Sequence, residues 1–197
     1  SQMNLRTKTS LRYLVAQCLG WLTRTPGRLR IMTFHSVAEP GGSFVQWSPA
    51  AFDGLLSLLV ERGFRTVRIS DLVDQWPAIA LEPRVVALTF DDGLLDNWTV
   101  VCPLLQKRGL TATFYVPTAF IGPERQPASA ESMAEYRGAT MLSWADVRAM
   151  AAAGFEIGSH SHRHAYLRQL SPEAAREEAV LSKSLLEEHL GRRVRSF

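Results

Sequence analysis

The sequence predicts an α/β protein in which parallel strands form one sheet, either open or closed into a barrel. Short apolar runs alternate along the chain with segments of helical periodicity, and serines, prolines and glycines mark many of the boundaries between them. Strand–helix–strand alternation of this kind builds a parallel sheet. In such sheets the active site gathers at the carboxyl ends of the strands, so polar residues that follow strands are the first candidates for function.

The strands are predicted from short runs rich in apolar and β-branched residues. Residues 84–90, for example, read RVVALTF and end abruptly in Asp-Asp-Gly. Runs of this composition favour buried strands. The predicted strands are residues 29–35, 66–69, 84–90, 111–116 and 155–158.

Serine N-caps and glycine stops set the predicted helix boundaries. Ser48 and Pro49 open a helix that runs through Glu61, and Gly63 lies just beyond its end. Further helices are predicted from Ser70, from Gly93 to about residue 108, from Ser143 to Ala153, and from Pro172 to about residue 190. Residues 122–140 contain Gly, Pro and Ser and are predicted to form a long surface loop.

The composition is that of a soluble globular protein. Of the 197 residues, 46% are hydrophobic and 21% are charged, which argues against a disordered, collagen-like or multi-span membrane protein. The 22 basic and 19 acidic residues leave a net charge of only +3, and no basic cluster marks a nucleic-acid partner. Cys18 and Cys102 are too few for a disulfide framework or a cysteine-based zinc site.

Residues 1–28 are predicted to be an N-terminal extension of a domain at residues 29–197. Residues 11–22 are apolar but too short to span a bilayer, and no small-residue cleavage site marks a signal peptide. We expect an amphipathic helix that packs on the domain. The alternative is peripheral contact with a membrane surface through this helix, because basic side chains flank the apolar stretch.

Asp91 and Asp92 are the first candidates for chemistry. Adjacent carboxylates directly after an apolar strand are costly to bury without partners. Their side chains point in different directions, so one can bind a metal while the other acts as a base. The alternative is a turn in which aspartate caps the following helix, because Asp-Gly is a common turn dipeptide.

The second candidate cluster is HSHRH at residues 160–164, which follows the last predicted strand. Neutral imidazole is a preferred ligand of divalent transition metals, and the spacing of His160 and His164 allows both to bind one ion. Two histidines and one carboxylate leave positions open for water and substrate, which indicates a catalytic metal site. A solvated polar turn is the alternative, and His162 would point away from the ion.

Together these clusters resemble the motifs of the polysaccharide deacetylase family (the NodB-homology domain, carbohydrate esterase family 4). TFDDG at residues 89–93 resembles the first motif, and residues 160–164 resemble the second. The surrounding segments ATFYV (112–116), LSW (142–144) and GFEIGSH (154–160) are also similar, and FHS (34–36) resembles members that act on bacterial exopolysaccharides. The resemblance covers most of residues 29–197 and implies a distorted, incomplete (β/α) barrel with parallel strands.

The resemblance also implies an activity, namely removal of N-acetyl groups from a polysaccharide or oligosaccharide that contains N-acetylhexosamine. In this family pattern Asp91 is the general base, and the metal ligands are Asp92, His160 and His164. The ion, usually zinc, would lower the pKa of its bound water and polarise the acetamide carbonyl.

Two neighbouring residues receive supporting assignments. Ser161 is expected to orient the ligand loop through hydrogen bonds. His35 either lines the same pocket or is a hydrogen-bonded histidine at a strand end.

The family's third motif, an Arg/Tyr-Pro element, should begin just after Phe197, and the later motif that supplies the general acid has no counterpart. We therefore expect a C-terminally incomplete catalytic domain. His189 lies on a charged helix and is expected at the surface. The substrate class suggests the envelope or cytoplasmic membrane surface of a bacterium.

Two other functions stay open. A catalytically incomplete relative would be a glycan-binding or interaction module, with sugar-stacking candidates Trp47, Trp98, Trp144 and Tyr166. A phosphoesterase would use the same metal ligands, but Arg163 is the single basic residue beside the motifs that could hold a phosphate.

Overall fold

The computed structural model describes residues 29–39, 46–128, 136 and 138–197. Within these ranges the strands are β1 (Arg30–Phe34), β2 (Ser36–Val37), β3 (Gln46–Trp47), β4 (Arg65–Val67), β5 (Val85–Phe90), β6 (Thr113–Val116) and β7 (Glu156–Ser159). The predicted strands are therefore all present, with ends that differ by one or two residues.

The main sheet is parallel and is centred on β5. Its order is β1–β5–β6–β7, and β4 also pairs with β5. β4 lies against the first half of β5, where Arg65 is opposite Val85, and β6 lies against the last two residues, where Phe90 is opposite Phe114. β2 and β3 form a separate two-stranded parallel sheet. Among the described residues the main sheet does not close on itself, so the prediction of an α/β fold with an incomplete barrel is confirmed.

The helices of the described ranges are α1 (Pro49–Glu61), α2 (Ile69–Asp74), α3 (Ala78–Leu81), α4 (Cys102–Gln106), α5 (Trp144–Ala152) and α6 (Pro172–Leu190). Serine N-caps open α1 and α6 as predicted, because Ser48 Oγ accepts from the Ala51 N–H and Ser171 Oγ from the Ala174 N–H. A π-helical turn at Asn97–Val101 precedes α4. This turn and α4 lie within the helix predicted from Gly93 to about residue 108, whereas α3 was not predicted as a separate helix.

A row of phenylalanines joins the strands on the face that carries the main apolar core. Phe34 on β1 stacks on Phe90 at a centroid distance of 5.3 Å, and Phe90 stacks on Phe114 at 5.0 Å. Phe155, just before β7, meets Phe114 edge-on at 5.5 Å. All four are buried, and burial of one such side chain contributes about 1.5–3 kcal/mol. Phe34 and Phe90 are the last residues of β1 and β5, and they lie opposite each other. The residues that follow the two strands therefore start at the same edge of the sheet.

The opposite face of the sheet has an apolar part and a polar part. A second, smaller cluster of buried apolar residues lies at one end of it, formed by Val67, Leu72, Ile79, Val85 and Ala87. The Thr89 hydroxyl donates to Thr33 Oγ1 at 3.0 Å. The buried carboxylate of Glu156 accepts from the Thr113 hydroxyl at 2.7 Å and from the Ser196 hydroxyl at 3.0 Å. Such hydrogen bonds offset the cost of burying the charge. This face therefore carries a small apolar cluster at one end and lines a polar recess at the other.

The segment predicted as a surface loop is buried at Ala128 and Tyr136, so the prediction of a surface position is wrong for these two residues. Met141 and Leu94 form an isolated antiparallel bridge, and Pro127 bridges to Thr140. Ala128 and Tyr136 are buried against Leu94 and Met141 in a small apolar cluster. Gly and Pro in a segment indicate local turns, but they do not indicate that Ala128 and Tyr136 will be buried.

Residues 1–28 lie outside the described residues, so the predicted helix at residues 11–22 and its contact with a membrane surface stay predictions. In the described part of the chain, the helices are too short or too polar to cross a bilayer.

The N-terminus of α5 gives a first test of the fold. Ser143 Oγ accepts from the Asp146 N–H at 3.2 Å, while Asp146 Oδ2 accepts from the Ser143 N–H at 2.9 Å. We expect Ser143→Ala to lower the free energy of unfolding by about 1 kcal/mol in urea titrations, because the capping box is lost. The exposed Ser184 on α6 supplies the control, and an effect of Ser184→Ala as large as that of Ser143→Ala would contradict this account.

Candidate metal centre and active site

The two aspartates lie where the chain leaves β5 and turns sharply. The Asp91 N–H still donates to the Phe34 carbonyl at 3.0 Å, which extends the pairing with β1 by one residue. Asp92 (φ 74°) and Gly93 (φ 67°) then both adopt left-handed backbone conformations. A side chain at Gly93 would be strained in that conformation and would lie 3.3 Å from Ile121. The turn leaves Asp91 half-buried and Asp92 only 2% exposed.

The histidine segment reverses in the same way after β7. Ser161 (φ 62°) and His164 (φ 55°) are left-handed, as is Asp92. Left-handed conformations cost non-glycine residues roughly 1–2 kcal/mol each. Among the described residues, three of the four non-glycine residues with positive φ lie in these two clusters. Strain concentrated in this way is typical of functional sites.

The two turns bring Asp92, His160 and His164 together. Asp92 Oδ1 lies 3.3 Å from His160 Nε2 and 3.2 Å from His164 Nε2. One ligand atom from each residue can be chosen so that all three lie within 4.8 Å of one another. Asp92 Oδ1 is buried and receives no hydrogen bond. A buried carboxylate oxygen that faces two imidazole nitrogens is the donor set expected for a divalent cation.

The local electrostatics favour an ionised Asp92. Burial alone would raise the pKa of Asp92, but nearby His160 and the Tyr136 hydroxyl outweigh it, so the pKa lies below its usual value. Burial lowers the pKa of His160, but the Asp92 carboxylate outweighs burial and the net shift is upward. Negative charge is thus concentrated on the carboxylate that faces both rings.

Asp91 has a different environment from its neighbour. Burial raises the pKa of Asp91 above its usual value, while His160 and His35 partly oppose that shift. Asp91 and His160 line a cavity of about 410 Å³, together with Tyr115 and with Thr33 and Thr89 from the polar face of the sheet. The two adjacent carboxylates therefore face different surroundings, and separate tasks for them stay a prediction.

The glycine before the histidine segment makes room for one wall of this cavity. A Cβ atom at Gly158 would lie 2.5 Å from the Tyr115 ring and 2.6 Å from Ser196 Oγ. Real Cβ atoms do not come this close to other atoms, so a side chain here would push Tyr115 out of place. This close approach explains the second glycine in GFEIGSH, which is Gly158.

The histidine segment is fixed from α6 by a buried carboxylate. Glu178 Oε2 accepts the backbone N–H of His162 at 2.9 Å and that of Arg163 at 2.7 Å. One turn further along α6, Ser182 Oγ pairs with Ser159 Oγ at 2.8 Å. Sequence analysis missed Glu178. The available signal was its place on one face of the helix with Ser182 and Leu186, at a spacing of four residues.

The other side of the segment rests on residues 118 and 119. The Thr118 N–H donates to the Ser161 carbonyl at 3.3 Å, and the Ala119 N–H donates to the His162 carbonyl at 2.8 Å. Thr118 Oγ1 also pairs with His162 Nδ1 at 2.9 Å. His162 therefore points away from Asp92, and the buried Ser161 supports the segment through its backbone. A role for the Ser161 hydroxyl stays a prediction.

His35 is placed beside Asp91 by the residues that follow the aspartate turn. The Asn97 side-chain amide donates to the His35 carbonyl at 2.8 Å, and the Ser36 hydroxyl donates to Asp96 Oδ2 at 2.6 Å. His35 is half-buried, and it lies close enough to Asp91 to lower the pKa of that carboxyl group, against the effect of burial. Its part in binding or catalysis stays a prediction.

An Asp-His-His cluster beside a second carboxylate, at the edge of a parallel sheet, is a candidate metal site in an α/β protein. Comparison with known proteins identifies the family. The family model described as "Polysaccharide deacetylase" matches residues 78–197, which is more than half of the chain. The chain belongs to the polysaccharide deacetylase family.

A curated relative is similar in sequence, and solved structures of other relatives have a similar fold. The chain is 27% identical over 173 residues to the Bacillus subtilis (strain 168) protein described as "Putative polysaccharide deacetylase YxkH", covering 85% of this chain and 54% of that protein. It therefore spans about half the length of this curated relative. The structure of IcaB from Ammonifex degensii is similar with a TM-score of 0.72 and 27% identity, covering 86% of this chain and 72% of IcaB. The Streptococcus pyogenes deacetylase PplD, solved in complex with acetate, gives 0.70 and 23% with the same coverage.

The Glu178 contact gives a test of how the histidine segment is held. We expect Glu178→Ala to lower the free energy of unfolding by about 2 kcal/mol or more in urea titrations, because two N–H groups lose a buried acceptor. The matched control is Glu177→Ala, since Glu177 is the adjacent but exposed glutamate of α6. Equal effects of the two substitutions would show that the Glu178 carboxylate does not support the segment.

Proposed function

We propose that this protein is a metal-dependent hydrolase that removes N-acetyl groups from an N-acetylhexosamine-containing polysaccharide or oligosaccharide. The observation that carries the proposal is the division between two adjacent carboxylates. Asp92 faces His160 and His164 through a buried, unpartnered oxygen, whereas Asp91 lines the neighbouring cavity. One carboxylate is thus placed to hold a cation and the other to act on substrate.

The proposed cation is zinc. Two imidazole nitrogens and one carboxylate oxygen are ligands that zinc prefers at catalytic sites, where further positions stay open. When bound, zinc would lower the pKa of a water molecule and polarise the acetamide carbonyl. Asp92, His160 and His164 would hold it, and the concentration of negative charge on Asp92 supports binding of a dication.

Asp91 is the proposed general base. Its carboxylate would accept a proton as water attacks the acetamide carbon. The C–N bond would then break as a proton passes to the sugar nitrogen, and the products would be acetate and a free amine on the sugar. Burial that raises the pKa of Asp91 makes its carboxylate a stronger base. His160 also lines the cavity, so the base and a proposed zinc ligand meet at its wall.

The polysaccharide class of the substrate is proposed from the family and from the relatives' names. IcaB is a structural neighbour, and FHS at residues 34–36 resembles members that act on exopolysaccharides. A bacterial cell envelope or membrane surface is the compartment that this substrate class suggests. Because the chain spans only part of its curated relative, the activity of the whole protein is part of the proposal.

The structure offers little support to the two other functions. Trp144 is buried and stacks on His189 at 3.8 Å, and Trp47 packs edge-on against Phe34 at 5.4 Å. Of the aromatic residues considered for sugar stacking, Tyr166 is the exposed one at 77%. Arg163, the candidate for holding a phosphate, pairs with Glu178 at 3.4 Å.

Substitutions of the two aspartates should separate metal binding from turnover. We expect Asp92→Asn to lose zinc on dialysis, because a charged ligand is removed. Asp91→Asn should retain zinc but release acetate from N-acetylglucosamine oligomers at least about 100-fold more slowly, because the base is lost. Zinc content is measured by atomic absorption and acetate release by a coupled assay.

The control for both is His189→Ala, which removes a half-buried histidine that stacks on Trp144. It should keep its zinc and its rate of acetate release. These rates are measured on the full-length protein. If that protein binds zinc but releases no acetate, or if its Asp91→Asn variant is as active as the unaltered protein, the proposed mechanism is refuted.

A further inference from the structure

The two oxygens of the Asp92 carboxylate have different partners. Oδ1 faces the nitrogens of His160 and His164, while Oδ2 accepts a hydrogen bond from the Tyr136 hydroxyl at 2.7 Å. Tyr136 is only 5% exposed. A charge-assisted hydrogen bond of this length is among the stronger contacts that a phenol makes.

The tyrosine is tied to the aspartate turn itself. Its ring belongs to the small apolar cluster with Leu94, Ala128 and Met141, and Leu94 is two residues beyond Asp92 in the chain. Two backbone contacts join the aspartate turn to residues 141 and 142, which follow Tyr136 in the chain. They are the bridge between Leu94 and Met141 and the hydrogen bond from the Leu142 N–H to the Gly93 carbonyl at 2.9 Å. Movement of the turn and movement of the tyrosine are therefore linked.

The orientation of a carboxylate needs such a contact. The terminal torsion of an aspartate is broad and roughly two-fold, so rotation exchanges the two oxygens at little cost. A donor fixed on one oxygen removes that freedom and leaves the other oxygen aimed at the histidines. Outer hydrogen bonds of this kind to metal-ligating residues typically change metal affinity 10–100-fold.

We propose that Tyr136 is a positioning residue that selects Asp92 Oδ1 as the metal-ligating oxygen and so sets the affinity of the site for zinc. This inference rests on the proposed function, because it takes Asp92, His160 and His164 as the ligands. Tyr136 acts through Asp92 and does not contact the substrate.

The test is Tyr136→Phe, which keeps the ring in its apolar cluster and removes only the hydroxyl. We expect the zinc dissociation constant, measured by competition with a chromophoric chelator, to rise about 10-fold or more. The absorption spectrum of the cobalt-substituted protein should change as well, because the carboxylate is free to rotate. Tyr166→Phe makes the same chemical change at an exposed position and should leave both quantities unaltered.

A second variant separates the hydroxyl from packing. Met141→Leu disturbs the same apolar cluster but retains the Tyr136 hydroxyl, so it should lower stability without weakening zinc binding. If Met141→Leu raises the dissociation constant as much as Tyr136→Phe does, or if Tyr136→Phe binds zinc as tightly as the unaltered chain, the proposal is overturned.

A third measurement leaves the fold intact. With 3-fluorotyrosine in place of tyrosine, the fluorine resonance of residue 136 should shift when zinc binds, because the cation withdraws charge from the carboxylate that the phenol contacts. The resonance of residue 166 should not move. A stationary resonance at residue 136 refutes the role of Tyr136, whereas failure of the unaltered chain to bind zinc refutes the ligand set and with it the proposed function.

Discussion

The buried charge of Asp92 is the constraint on which the site depends. An ionised carboxylate taken out of water costs several kcal/mol unless other groups compensate it. Asp92 is 2% exposed, and its compensation comes from the Tyr136 hydroxyl on one oxygen and from two imidazoles near the other. The two histidines belong to one short segment of the chain, whereas Asp92 and Tyr136 each belong to a different segment. The site therefore exists only when three separate segments are folded together.

Backbone strain is part of the same arrangement. Asp92, Ser161 and His164 are held in left-handed conformations, and turns of this kind persist only where the surroundings hold them. The surroundings are visible on both sides of the histidine segment. Glu178 binds two of its N–H groups from α6, and the N–H groups of residues 118 and 119 bind two of its carbonyls. A long helix and a turn after β6 thus act as rigid supports for the proposed ligands.

Much of the architecture could be predicted from the sequence because it depends on local signals. Serine caps and β-branched runs placed α1, α6 and β5 within one or two residues of their observed ends. The grouping of Asp92 with His160 and His164 was also predictable, since parallel strands deliver the residues that follow them to one edge of a sheet. By contrast, Tyr136 was assigned to a surface loop and Glu178 to a charged helix. The four-residue spacing of Glu178 with Ser182 and Leu186 places it on one face of the helix, but it does not show which groups the carboxylate binds. No comparable local signal marks Tyr136 as buried.

The sequence by itself determined the order of strands and helices, the family, and the residue types available for chemistry, because periodicity, caps and motifs are properties of neighbouring residues. Tertiary structure alone decided which carboxylate oxygen faces the histidines, which aspartate lines the cavity, and which side chains hold the ligand segments in place. These features depend on contacts between residues 44 positions apart, as for Asp92 and Tyr136. Such contacts form only after the sheet and its helices have packed.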